Sequence, residues 1–237
     1  MIDSRGGRVL DEGHRSMVDA EEWAWISDKA TGDFDHLLIG TSLPLLLGPA
    51  MHHLQTWDER LCSGAWGERA ARWAEGFRRS QDLDHWASFH DSFAAMVGLI
   101  QEIASGERGD PPSTISILSG DVHHGYLAEA TLENDAKSRL HQLVCSPLRN
   151  ALPHKKAYLQ GHAWAKPAIL ATRLLARLSG VIREPLAWRL THEAPFFDNQ
   201  VATLELEGRS ATVTFEKAVL DASKEPTLEK FYEHRLA

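Results

Sequence analysis

The segment Ile115–Tyr126 constrains the fold of this chain more than any other. It opens with an apolar, β-rich run and passes through a Ser-Gly pair into one carboxylate and two imidazoles, Asp121, His123 and His124. A strand that ends in a glycine-led turn places the next side chains at the carboxyl edge of a sheet, where α/β proteins build their sites. We therefore expect a buried strand with polar chemistry at its end.

Asp121 and His123 are two residues apart. On an extended backbone, side chains at this spacing project from the same side of the strand. One hard oxygen and one imidazole from the same turn suit a Zn, Mn or Fe centre. The alternative is a strand end with a solvated Asp121 and a His123 that hydrogen-bonds the backbone. The spacing leaves both interpretations open.

The run Gly120-Asp121-Val122-His123 resembles the last metal-binding motif of the PhoD-like metallophosphatases, the alkaline phosphatase D family. That family belongs to the calcineurin-like metallophosphoesterases, whose other members carry Gly-His-x-His at this point. The order of the surrounding segments is similar over most of the chain: Ile2-Asp3-Ser4-Arg5, Trp23-Ala24-Trp25, Ile39-Gly40-Thr41-Ser42, then Trp86 and Phe89. The resemblance implies a metal-dependent phosphomonoesterase or phosphodiesterase, with Asp121 and His123 as ligands of Fe, Ca, Mn or Zn.

Other residues are candidates for contact with a phosphate-ester substrate. His124 would donate to a phosphoryl oxygen, and Arg149 would contact phosphate because a planar guanidinium matches its oxygens. Asp3 and Arg5 stand where the family has an Asp-Thr-Arg segment near its site, and His53 would reach the site from a neighbouring loop. Simpler alternatives are a solvated imidazole for His124, a salt bridge for Arg149, a salt-bridged turn for Asp3 and Arg5, and a partly exposed histidine pair for His53.

The family's first motifs bring an early Asp, a second Asp that bridges two metals, and an Asn-bearing turn. All of them precede its Asp-Thr-Arg segment, at which this chain begins. A two-metal centre needs roughly six to eight protein ligands, and the chain offers no candidate for the bridging carboxylate. We expect it to contribute one edge of such a centre and to show little activity alone. The alternative is a non-catalytic remnant, or a half-domain that works only beside another polypeptide.

The predicted fold class is α/β, as an α+β sandwich. The resemblance refines this to the C-terminal part of a four-layer αββα phosphoesterase fold, with a mixed sheet, flanking helices and a C-terminal antiparallel hairpin. Residues 1–220 would form the domain and 221–237 a surface tail. Periodicity and capping signals predict the elements. Helices are predicted at 19–30, 66–80, 86–104 and 158–179, with a short helix after Pro226. Strands are predicted at 34–42, 114–118, 126–132, 140–145 and 186–191, with a hairpin at 201–206 and 211–215 and a loop at 43–63.

Composition limits the classes of partner that we expect the chain to bind. The net charge of −8, from 25 Lys and Arg against 33 Asp and Glu, argues against nonspecific nucleic-acid binding. A phosphorylated substrate stays open because a metal can supply local positive charge. Two distant cysteines, Cys62 and Cys145, indicate a reducing compartment. With no apolar run long enough for a membrane span and no signal-peptide core at residues 1–7, we expect the chain as given to be cytoplasmic and without a membrane partner. Export stays open if the true start lies upstream. An uncovered sheet edge would favour a homodimer or docking of the missing N-terminal half.

Overall fold

A computed structural model describes residues 1–11, 15–133, 135–149, 161–182 and 184–237. These residues form helices, a five-stranded mixed sheet and a separate three-stranded antiparallel sheet. The predicted α+β class is therefore confirmed.

The five-stranded sheet has the order β1-β2-β4-β3-β5. Its strands are β1 (His36–Gly40), β2 (Thr114–Ser119), β3 (Tyr126–Thr131), β4 (Arg139–Val144) and β5 (Ala187–Leu190). Strands β1, β2 and β4 are parallel, whereas β3 runs antiparallel to both β4 and β5. Because Ser119 pairs with Val144, β2 and β4 end at the same edge of the sheet. The chain leaves β2 toward Asp121 at that edge, as the sequence predicts.

The second sheet consists of β6 (Gln200–Glu207), β7 (Ser210–Leu220) and β8 (Pro226–Arg235). Its residues Val213, Phe215 and Leu236 pack against Leu127 and Leu143 of the first sheet. The predicted hairpin is confirmed, with Gly208 at a φ of 54° in its turn.

The short helix predicted after Pro226 is wrong, because that segment is strand β8, which pairs with β7 along its length. The free edge of β7 offers backbone partners, and Thr227, Phe231 and Tyr232 are residue types that favour a strand. The strand is followed by Leu236, which is fully buried.

Five α-helices are described: α1 (Ala20–Lys29), α2 (Pro49–Cys62), α3 (Glu68–Ser80), α4 (His90–Ser105) and α5 (Lys166–Leu178). A 3-10 helix at Trp86–Ser88 precedes α4, so the first residues of the helix predicted at 86–104 are not α-helical. The other face of the first sheet, with Ile115 and Ile117, packs against Phe93 and Ile100 of α4. The predicted cap of α1 is present, since the Asp19 side chain accepts a hydrogen bond from the Glu22 backbone N–H at 2.8 Å. Within the described ranges, no helix combines the length and apolar character needed to cross a bilayer.

Proline lies in the first turn of two helices whose bounds differ from the predicted elements. The loop predicted at 43–63 is wrong from residue 49 to residue 62, where Pro49 occupies the first turn of α2. Proline suits that position because its missing N–H would have no helical partner there. In α5, Pro167 likewise lies in the first turn and not in the helix interior. The part of that helix prediction at 158–160 lies outside the described residues.

Candidate functional site at the carboxyl edge of the sheet

The turn after β2 carries the residues that the sequence singles out. Asp121 and His123 have φ angles of 70° and 56°, and the Val122 N–H donates to the Gly120 carbonyl at 2.9 Å. The backbone at these residues is therefore left-handed, so the argument from extended geometry does not apply. Asp and His tolerate this region better than most residues. Both side chains stand on the exposed side of the turn.

Arg5 reaches this turn across 116 residues of sequence, and its guanidinium pairs with the Asp121 carboxylate. The N-terminal segment is held there by the end of β1. The Ile2 N–H donates to the Gly40 carbonyl at 2.7 Å, and Ser4 Oγ lies 2.9 Å from Thr41 Oγ1. The structure thus brings Arg5 to the predicted site.

Asp3 has a different role in the same segment. Its carboxylate accepts hydrogen bonds from the backbone N–H groups of Gly6 at 2.7 Å and Arg5 at 3.2 Å. These two bonds, with that from Gly6 the stronger influence, lower the pKa of the Asp3 carboxyl. The carboxylate therefore shapes the turn that presents Arg5.

His124 is buried beside the same turn. Its Nδ1–H donates to the Val122 carbonyl at 2.8 Å, and its ring stacks on Tyr126 with the ring centroids 5.4 Å apart. Burial lowers the pKa of His124 to about 4. At neutral pH the imidazole is thus uncharged, with its lone pair at Nε2. This state suits an acceptor or a ligand, whereas the sequence suggested a donor to phosphate.

Sequence reasoning missed two residues next to this cluster, Asp84 and His85. Arg8 Nη1 lies 2.9 Å from Asp84 Oδ2, with both side chains largely buried. Burial lowers the pKa of His85, and the charges of Asp84 and Asp121 oppose that shift, so Asp121 lies within electrostatic range of the ring. In the described structure, His85 Nε2 is buried without a hydrogen-bond partner. The signal in the sequence is the Asp-His pair directly before Trp86.

The buried side chain of Gln142 also lies next to this site, and the sequence did not indicate it. Its Oε1 accepts from the backbone N–H groups of Leu45 at 3.0 Å and Leu46 at 3.1 Å. Its Nε2 donates to the Ile117 carbonyl at 3.1 Å and to Ser119 Oγ at 3.0 Å. One buried side chain thus ties the segment after β1 to the ends of β2 and β4.

The structure separates His53 from this edge. His53 lies in α2, where its Nδ1 is 3.4 Å from Glu184 Oε1 and its Nε2 is 3.4 Å from Arg173 Nε. Together with Thr131 and Ala187 it lines a cavity where β3 ends and β5 begins. Because β3 is antiparallel to β4, that is the edge opposite to Asp121.

Arg149 follows the end of β4 and is exposed. It therefore lies beyond the same sheet edge as Asp121. Over the described ranges, no hydrogen bond or ion pair involves its side chain. Its predicted contact with phosphate stays a prediction.

The turn carries three side chains of the types that ligate metals. Asp121 supplies a carboxylate, His123 an exposed imidazole and His124 a free Nε2. Across the residues that the structure describes, no group of three or more His, Cys, Asp or Glu side chains is arranged to hold a metal.

No family model, curated protein or solved structure matches the chain.

Proposed function

We propose that this chain forms one wall of a metal-dependent phosphoester hydrolase site of the PhoD-like kind. Asp121 and His123 would be ligands of Fe, Ca, Mn or Zn, and the remaining ligands would come from polypeptide beyond these residues. The observation that carries the proposal is the meeting of Arg5 with the Gly120-Asp121-Val122-His123 turn at the carboxyl edge of the sheet. Two distant segments that resemble the family's site segments converge there.

The residues of this chain would have separate roles in phosphoester hydrolysis. Bound metal would supply Lewis acidity and a hydroxide nucleophile. Arg5 orients the Asp121 carboxylate, and its planar fork can also bind a phosphate oxygen. His124 presents a neutral Nε2 whose orientation is set by the Val122 carbonyl, which is the usual arrangement of a ligating histidine. Arg149, beyond β4, would approach the substrate from the adjoining strand.

The second candidate is a non-catalytic half-domain that binds a partner. The ion pair of Asp121 with Arg5 favours it, since it satisfies the carboxylate without any metal. The two candidates differ in whether His123 binds a cation.

Titration calorimetry with Mn²⁺ and Ca²⁺ tests this difference. We expect binding that His123→Ala weakens by about tenfold, the equivalent of losing one ligand worth about 1.4 kcal/mol. The matched control is His36→Ala, because His36 starts β1 at the opposite edge of the same sheet. No binding, or equal binding by His123→Ala and the parent, would overturn the metal assignment.

Hydrolysis of p-nitrophenyl phosphate and of its bis ester with added Mn, Ca or Fe tests the completeness of the site. We expect little turnover by this chain alone. Robust turnover that His123→Ala abolishes would show that the chain supplies every ligand it needs and would disprove the one-wall proposal.

A further inference from the structure

A cavity of about 760 Å³ lies at the sheet edge opposite to Asp121. Its described lining comes from His53 of α2, from α5, from residues 131–133 and 135 at the end of β3 and just after it, and from residues 181–182 and 184–187. Its apolar lining includes the buried side chains of Ala176, Val181 and Leu186. The volume is that of a site for a small organic molecule.

One wall of the cavity is basic. Arg173 and Arg177 lie one turn apart on α5, and both are exposed. In the described part of the chain, no carboxylate lies within ion-pair distance of either guanidinium. Two unpaired guanidinium groups one turn apart can bind an oxyanion together.

The base of this wall holds the carboxylate of Glu184, which already contacts two histidines. Arg173 Nε approaches His53 Nε2, so the His53 Nδ1–H points to Glu184 Oε1 at 3.4 Å. His52 Nε2 lies 3.1 Å from Glu184 Oε2. Both oxygens of Glu184 therefore face imidazole groups, and Arg173 is held in place through His53.

The other wall is acidic. Glu133 and Asp135 follow β3 and are exposed. Gln101 anchors this segment, because its Oε1 accepts from the Glu133 N–H at 3.1 Å and its Nε2 donates to Asp135 Oδ1 at 3.2 Å. Of the described cations, none lies within 4.0 Å of these two carboxylates. Opposite charges thus face one cavity from separately anchored elements without pairing.

We propose that this cavity binds a small dipolar molecule in which a short apolar body joins an oxyanion to an ammonium group. The oxyanion would pair with Arg173 and Arg177, and the ammonium with Glu133 and Asp135. A ligand with both charges would satisfy both walls at once, whereas a simple anion would meet net repulsion from the three carboxylates. The proposal does not depend on the hydrolase proposal.

Calorimetry with O-phosphorylethanolamine, inorganic phosphate and ethanolamine tests the charge pattern. We expect the dipolar compound to bind at least about tenfold more tightly than either single-charge compound, since linking two contacts makes the second intramolecular. Arg177→Gln and Asp135→Asn should each weaken its binding. Lys166→Gln is the control, because Lys166 is an exposed cation on α5 that does not line the cavity.

Three results would overturn the proposal: no binding at concentrations up to about 10 mM, equal binding of phosphate and phosphorylethanolamine, or unchanged affinity in both cavity variants. Circular dichroism of each variant verifies that it is folded. His123→Ala should retain binding, which separates this cavity from the site at Asp121.

Discussion

Two ion pairs at the carboxyl edge differ in how far water reaches them. The side chains of Arg5 and Asp121 are 52% and 36% exposed, whereas those of Arg8 and Asp84 are 15% and 17% exposed. Water screens an exposed pair, so such a pair adds little to stability. Removal of one partner from a buried pair leaves an uncompensated charge in the protein interior, which solvates it less well than water does.

We therefore expect Arg8→Ala to lower the free energy of unfolding by about 3 kcal/mol. The matched change Arg5→Ala should lower it by less than about 1 kcal/mol. Urea unfolding followed by circular dichroism measures both values. Equal losses in the two variants would show that burial does not distinguish these pairs.

His141 is buried in β4, and its Nδ1 has no hydrogen-bond partner in the described structure. Burial lowers the pKa of His141 from the ordinary 6.5 to about 4. Below the unfolded pKa, the unfolded chain takes up this proton more readily than the folded chain does. The contribution of this histidine to stability is therefore fully present only above the unfolded pKa. That contribution is lost as the pH falls from 6.5 toward 4.

His141→Leu should remove this contribution. Between about pH 7.5 and about pH 4.5, the variant should lose roughly 2 kcal/mol less stability than the parent chain does. Urea midpoints at the two pH values, compared at equal ionic strength, measure the difference. An identical pH dependence in both proteins would contradict a neutral, buried His141. Burial also lowers the pKa of His192 to about 4, so part of the acid sensitivity should remain in the variant.

At the scale of elements, Gln142 links β2, β4 and the segment that follows β1. Its four hydrogen bonds are all to groups in these three elements. A buried donor or acceptor without a partner costs about 1–3 kcal/mol. The position of the carboxyl edge relative to Leu45 and Leu46 therefore depends strongly on one amide.

Gln142→Leu should lower the free energy of unfolding by about 3 kcal/mol or more, because it leaves the N–H groups of Leu45 and Leu46 unpaired. Thermal and urea unfolding measure the loss. Arg139→Leu is the control on the same strand, since Arg139 is exposed and should change stability by about 0.5 kcal/mol at most. A loss for Gln142→Leu no larger than that of the control would refute the bridging role.

At the scale of the whole molecule, the first sheet has an open edge at β1. This strand pairs with β2 on one side. On its other side, among the described residues, backbone pairing is confined to the strand's end, where Ile2 bridges to Thr41 and its N–H donates to the Gly40 carbonyl. Leu38, in the middle of β1, is 42% exposed. Open strand edges with apolar side chains promote association with other chains.

We expect concentration-dependent dimers in sedimentation velocity, and Leu38→Lys should shift them toward monomer because a charge on an edge strand opposes pairing. Leu170→Lys is the control, since Leu170 is exposed on α5, away from β1. Dimers that persist in Leu38→Lys and dissociate in Leu170→Lys would place the contact on the helix instead.

Short-range patterns were enough to predict α1, α4 and the strand that leads to Asp121. A capping residue, a spacing of three or four residues and a glycine stop all act within a few positions, so the sequence states them directly. The same patterns failed for α2, where buried polar residues such as His52 and Thr56 conceal the helical periodicity. They also failed for β8, whose conformation depends on the open edge of β7.

The local sequence around Asp121 was sufficient to identify a polar turn at a sheet edge, because glycine and the residues that follow it determine that geometry among near neighbours. Its surroundings required the folded chain. Strand order brings Arg5 to Asp121, separates His53 from both, and places His85 and Gln142 beside a site that their own neighbours do not reveal. Contacts between distant segments arise from the packing of whole elements, so no spacing along the sequence records them.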